Sequence, residues 1–72
     1  MLTYKRIFNK NGVMRYEYYP NGDEAASGIV EFVNGESPKL IKESEVDFKR
    51  MFASHAMYHI DVTRERGTIA WY

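Results

Sequence analysis

Thr3-Tyr4-Lys5-Arg6-Ile7-Phe8-Asn9-Lys10-Asn11-Gly12-Val13-Met14-Arg15-Tyr16-Glu17-Tyr18-Tyr19 sets two runs rich in aromatic and β-branched side chains around an Asn-Gly dipeptide. Asn and Gly both tolerate the positive φ that a two-residue type I′ turn requires, so the stretch reads as a β-hairpin. With Asn11-Gly12 as the turn, Lys10 faces Val13, Asn9 faces Met14, Ile7 faces Tyr16, Arg6 faces Glu17 and Lys5 faces Tyr18. A period of two then puts Ile7, Met14, Tyr16 and Tyr18 on one side. Tyr4, Arg6, Phe8, Arg15, Glu17 and Tyr19 fall on the other. Opposite charges directly across the pair, Arg6 and Glu17, favour this register.

Working outward, the same signal recurs at Asn21-Gly22 and Asn34-Gly35. Gly28 to Val33 reads as a third strand and Pro38 to Glu43 as a fourth. Pro38 lacks a ladder donor and belongs at a strand start or a sheet edge. Beyond Ser44 the period changes from two to 3.6. Phe48, Met51, Phe52, His55, His59 and Val62 recur at steps of three and four, a single stripe along a helix. Ser44 suits the N-cap, with Asp47 three residues on, and Gly67 suits the residue after the C-cap. The spacing predicts one helix over about 44–66, then a last strand from Thr68 to Tyr72 carrying Ile69 and Trp71. The expected fold is α+β, in the order β-β-β-β-α-β: an antiparallel meander with the helix on one face. The helix stripe is expected to cover Ile7, Met14, Tyr16, Val30 and Phe32, with Phe52 deeply buried.

The ending Gly67-Thr68-Ile69-Ala70-Trp71-Tyr72, after a helix carrying Asp47-Phe48 and His55-Ala56, resembles a family of short uncharacterised bacterial proteins that stop at Ala-Trp-Tyr. The likeness spans roughly residues 28–72. It implies nothing about activity.

Seventy-two residues make a single domain, 1–72, with a small core. There is no Cys to staple it, which fits a reducing compartment. No apolar leader or membrane-length run is visible, so a cytoplasmic location without membrane contact is expected. Ten basic and ten acidic side chains cancel. They are unevenly placed along the chain, with a basic surplus over residues 1–20 and an acidic one over 21–47.

Chemistry-bearing patterns are sparse. His55 and His59 are one helical turn apart, a spacing that can chelate a metal, but no third ligand accompanies them. Their place on the apolar stripe points instead to a partly buried, hydrogen-bonded His55. No serine lies in a nucleophile elbow, and no glycine-rich loop opens the helix. The sequence therefore predicts neither enzyme activity nor cofactor nor metal. The remaining lead is the hairpin face on which Tyr4, Phe8 and Tyr19 sit with Arg6 and Arg15. Aromatic residues and Arg are enriched at interface hot spots, so these five are the candidate binding residues. The expected partner is another protein, self-association included. The alternative is single-stranded nucleic acid, stacked on the same aromatics while the cations hold phosphates.

Overall fold

A computed structural model describes residues 1–70 of the protein. Five strands form one antiparallel sheet: β1 (Leu2–Lys10), β2 (Val13–Pro20), β3 (Gly28–Val33), β4 (Lys39–Lys42) and β5 (Arg66–Ile69). The helix α1 (Met51–His59) lies between β4 and β5 in the chain, so the element order is the one the sequence predicts. Strands are arranged β4-β3-β2-β1-β5. The meander runs to one side, and the chain then crosses the sheet through α1 to pair at the opposite edge. Trp71, expected in the last strand, lies outside the described residues.

The first hairpin turns as expected, with φ of 54° at Asn11 and 78° at Gly12. Lys10 faces Val13 and Asn9 faces Met14. Past Phe8, however, the register shifts. Ile7 is left unpaired in a bulge, and Arg6 rather than Ile7 faces Tyr16. A one-residue slip exchanges the two faces of everything beyond it. Tyr4 now faces Tyr18 on the helix side, Lys5 faces Glu17 on the open side, and the expected Arg6–Glu17 pair does not form. The gain is apolar burial. Leu2 and Tyr4 both enter the core, at the cost of leaving Ile7 exposed.

The core is built from Leu2, Tyr4, Tyr16, Tyr18, Val30, Phe52, Ala53 and Ala56, with Met14, Phe32, Leu40 and Ile69 packed around it. Phe52 is buried, as the stripe predicts. Two of the tyrosine rings fold over glycines on the neighbouring strand. Gly28 lies opposite Tyr18 and Gly67 opposite Tyr4. A Cβ built on either glycine would overlap the facing ring. Gly67 is thus a strand residue chosen for close approach, and not the helix terminator read from its position.

The helix is shorter than the predicted 44–66 at both ends, and local chemistry explains each limit. At the front, Lys49 and Arg50 hold φ of 53° and 58°, a left-handed pair that a helix cannot include. The Asp47 carboxylate reaches past them to accept the Phe52 and Ala53 N–H groups at 2.9 and 3.0 Å. Asp47 therefore caps the helix, while Ser44 is buried in the preceding loop, its hydroxyl donating to the Ala26 carbonyl. At the back, Ile60 is extended, and the Asp61 carboxylate accepts from the Thr63 N–H and hydroxyl at 2.9 and 2.6 Å. Such a local side-chain bond competes with helix continuation, and β-branched Ile60, Val62 and Thr63 add to the bias.

The tyrosine hydroxyls tie these irregular segments to the sheet. Tyr18 accepts from the Ser44 N–H and donates to Asp47, both at 3.1 Å. Tyr16 donates to the Arg64 carbonyl at 2.7 Å. The Tyr4 hydroxyl accepts the Asp61 N–H at 3.4 Å. Burial, reinforced by the Asp47 carboxylate and only partly opposed by the Ser44 N–H, pushes the Tyr18 phenol up to about 12 from 10.0.

Phe52→Ala is expected to cost about 3–5 kcal/mol, most of the stability of a domain this size. Gly28→Ala should cost about 1–3 kcal/mol through overlap with Tyr18, whereas Gly35→Asn, in open space at φ +80°, should cost about 1 kcal/mol, from backbone strain alone. Urea midpoints of the three variants check the ranking. Tyr18→Phe should cost about 1–3 kcal/mol, because it strands the Ser44 N–H. The raised Tyr18 value also sets a pH dependence. Its stabilising share is complete below the unfolded value of 10.0 and is lost as pH climbs through about 12. Thermal melts across that window should fall for the wild type and fall less for Tyr18→Phe.

Candidate functional site

The five hairpin residues singled out by the sequence do not form one surface. The bulge at Ile7 separates them. Tyr4, 5% exposed, is a core residue, edge-on to Tyr16 with ring centroids 5.7 Å apart. Arg6 is on the helix side. Its Nε donates to the Tyr16 hydroxyl at 3.2 Å and its guanidinium to the Val62 carbonyl at 3.1 Å, so it latches the 60–65 segment onto the sheet. Tyr19 is on the open side but only 8% exposed. Burial raises its phenol pKa, with the charge of the Glu17 carboxylate the next cause. Tyr4 and Tyr19, expected on a shared binding face, are thus both buried and lie on opposite sides of the sheet.

Phe8 and Arg15 do stay together on the open side, as cross-strand neighbours. The Arg15 guanidinium sits 5.0 Å from the Phe8 ring centre and bonds Glu31 at 2.8 Å. This row, Phe8-Arg15-Glu31, spans three strands, with Arg15 meeting both an aromatic face and a carboxylate.

The largest exposed apolar side chains lie elsewhere, in the segment leading into and along α1. Phe48 is 69% exposed and Tyr58 75%, and Val46 and Met51 are exposed as well. Met51 and Tyr58 are seven residues apart, two turns along one helix face. The Met51 N–H bonds the Phe48 carbonyl at 3.0 Å, which sets Phe48 beside the first helical turn. Lys49 places its ammonium 5.4 Å from the Phe48 ring centre. Stripe periodicity had assigned Phe48 and Met51 to the core. A stripe that stops at Phe52 in space cannot be told from one that continues unless the left-handed pair at 49–50 is known.

The described residues also form concave features. A groove of about 370 Å³ runs past the tips of the Asn11-Gly12 and Asn34-Gly35 turns, floored by Met14 and Phe32 and walled by Val62. A second cavity of about 370 Å³ is lined by His55, His59 and the Thr68–Ala70 backbone segment. The two imidazoles are stacked, 5.7 Å between centroids, and His55 is half-buried. Among the described residues no group of three or more His, Cys, Asp or Glu is placed to hold a metal ion. No helix in the described residues is long and apolar enough to cross a membrane.

Comparison with known protein families, curated proteins and solved structures finds no match to this chain, and so gives no support to the family resemblance expected from residues 28–72.

Proposed function

We propose that this chain is a small binding module that acts by protein–protein contact, and that the contact is self-association through the exposed face of α1 and the loop before it. The observation that carries the reading is the exposure of Phe48 and Tyr58 at 69% and 75%, with Met51 between them. Single exposed apolar residues are ordinary, but aromatic residues and Met grouped on one element have the composition of an interface centre. The backbone before them adds support. Two successive non-glycine residues in the left-handed region cost about 1–2 kcal/mol each, and Lys49 and Arg50, between Phe48 and Met51, are such a pair. Strain of this kind clusters where a surface is used.

A second copy is the occupant that the composition favours. Domains near this size commonly need disulfides, a metal or oligomerisation. There is no Cys, and the described residues hold no metal-ligating cluster. A nine-residue helix that buries only Phe52, Ala53 and Ala56 leaves its outer face to be covered. Two copies meeting through a two-fold axis at Met51 and Tyr58 would cover it.

Sedimentation equilibrium and melting at a series of concentrations test the reading. The wild type is expected to be dimeric, with a melting temperature that rises with concentration. Phe48→Ser combined with Tyr58→Ser should give a folded monomer whose melting temperature is independent of concentration. A wild type that stays monomeric up to about 1 mM, weaker than any specific contact worth about 4 kcal/mol, would overturn self-association.

A further inference from the structure

The sheet face turned away from α1 sorts charge in a way that the neutral composition conceals. Strand pairing places six cations there (Lys5, Lys10, Arg15, Lys39, Lys42 and Arg66) against two carboxylates, Glu17 and Glu31. The whole chain is neutral, so the helix side and the rims carry the matching acidic excess. Two of the six are engaged. Arg15 bonds Glu31 at 2.8 Å, and Lys39 bonds Glu36 in the adjoining turn at 3.2 Å. Among the described residues Lys5, Lys10, Lys42 and Arg66 form no ion pair.

One contact on this face breaks a local rule. Lys5 and Arg66 are directly opposite each other on β1 and β5. Like charges in that position destabilise a sheet, and departures of this kind concentrate at functional sites. The pair borders a cavity of about 180 Å³ together with Thr3, Tyr19, Gly22 and Glu24. Glu24 also lines the cavity, and Glu17 faces Lys5 from β2 on its other side. An anion entering here would relieve the Lys5–Arg66 repulsion.

We infer that the open sheet face binds single-stranded nucleic acid, with backbone phosphate held between Lys5 and Arg66. Lysine is depleted from protein–protein interfaces, whereas phosphate contacts draw on it heavily. A duplex fits poorly. Five strands at about 4.8 Å spacing make a platform near 20 Å wide, against a major groove of about 12 Å that admits a two-stranded ribbon. A single strand can lie across a flat sheet. Phe8, 38% exposed and flanked by Arg15, offers a ring on which a base can stack. The proposal concerns the face opposite α1 and does not depend on self-association.

Fluorescence anisotropy with labelled DNA and RNA single strands of about 12 nucleotides tests it. Four unpaired cations meeting phosphates predict a salt slope of about −2.8, so affinity should fall about 50-fold between about 50 and 200 mM salt. Lys5→Gln combined with Arg66→Gln should halve that slope, to a fall of about sevenfold, and weaken binding at about 50 mM. Phe48→Ser with Tyr58→Ser should bind the strand as the wild type does. The inference is overturned by any of four results: no anisotropy change at low salt, binding indifferent to salt, unchanged binding by the Lys5/Arg66 variant, or tighter binding to the matching duplex or to polyglutamate.

Discussion

The Tyr18 hydroxyl is where the two halves of the protein are joined. A nine-residue helix is not stable alone, since isolated helices shorter than about 12–15 residues are marginal in water. The segment before α1 also carries two left-handed residues that oppose helix entry. Asp47 offsets this by accepting two helix N–H groups, and Tyr18 in turn holds Asp47 and the Ser44 N–H against the middle of the sheet. That arrangement needs the Tyr18 ring to lie flat across β3, which in turn needs Gly28. The same device recurs beyond α1, where Tyr16 and Tyr4 bond the Arg64 carbonyl and the Asp61 N–H, and Gly67 makes room for Tyr4. Tyrosine suits this face because what covers it is largely loop. Loop backbone brings polar groups into the interior, and each must find a partner. Among the described residues, no buried side-chain nitrogen or oxygen lacks one.

The surfaces follow from that construction. Ala53 and Ala56 let α1 approach the tyrosines closely, and Phe52 fills the remaining space. The larger apolar side chains near the helix, Phe48, Met51 and Tyr58, then have nowhere to go but outward. On the other side the sheet is uncovered, and its outward positions are filled mainly by Lys, Arg and Glu. The protein therefore presents two chemically distinct faces, one aromatic and one cationic, from a chain with no net charge. Lysines on the edge strand β4 and Arg66 on β5 also protect both edges from adding another strand.

Much of the fold was legible along the chain. The Asn-Gly turn at 11–12, the change from a period of two to one of 3.6 after β4, and Pro38 just before an edge strand are local signals with local causes. The buried position of Phe52 was legible as well. The candidate binding surface was not. Tyr4, Arg6, Phe8, Arg15 and Tyr19 were grouped by assuming an unbroken hairpin, and a single unpaired residue, Ile7, divided them between the two faces. Nothing near Ile7 in sequence announces the bulge. Its cause is the simultaneous burial of Leu2 and Tyr4 against α1 and Gly67, which are more than forty residues away.

Pattern and turn chemistry in the sequence by themselves determined which elements form and in what order, because helix period, strand period and positive φ are properties of neighbouring residues. Tertiary structure alone decided which face each strand of the first hairpin shows inward, where α1 starts and stops, and which aromatics remain outside. Those outcomes depend on side chains meeting across the sheet, on Asp47 reaching over a left-handed pair, and on rings seated over distant glycines, contacts that exist only once the chain has folded.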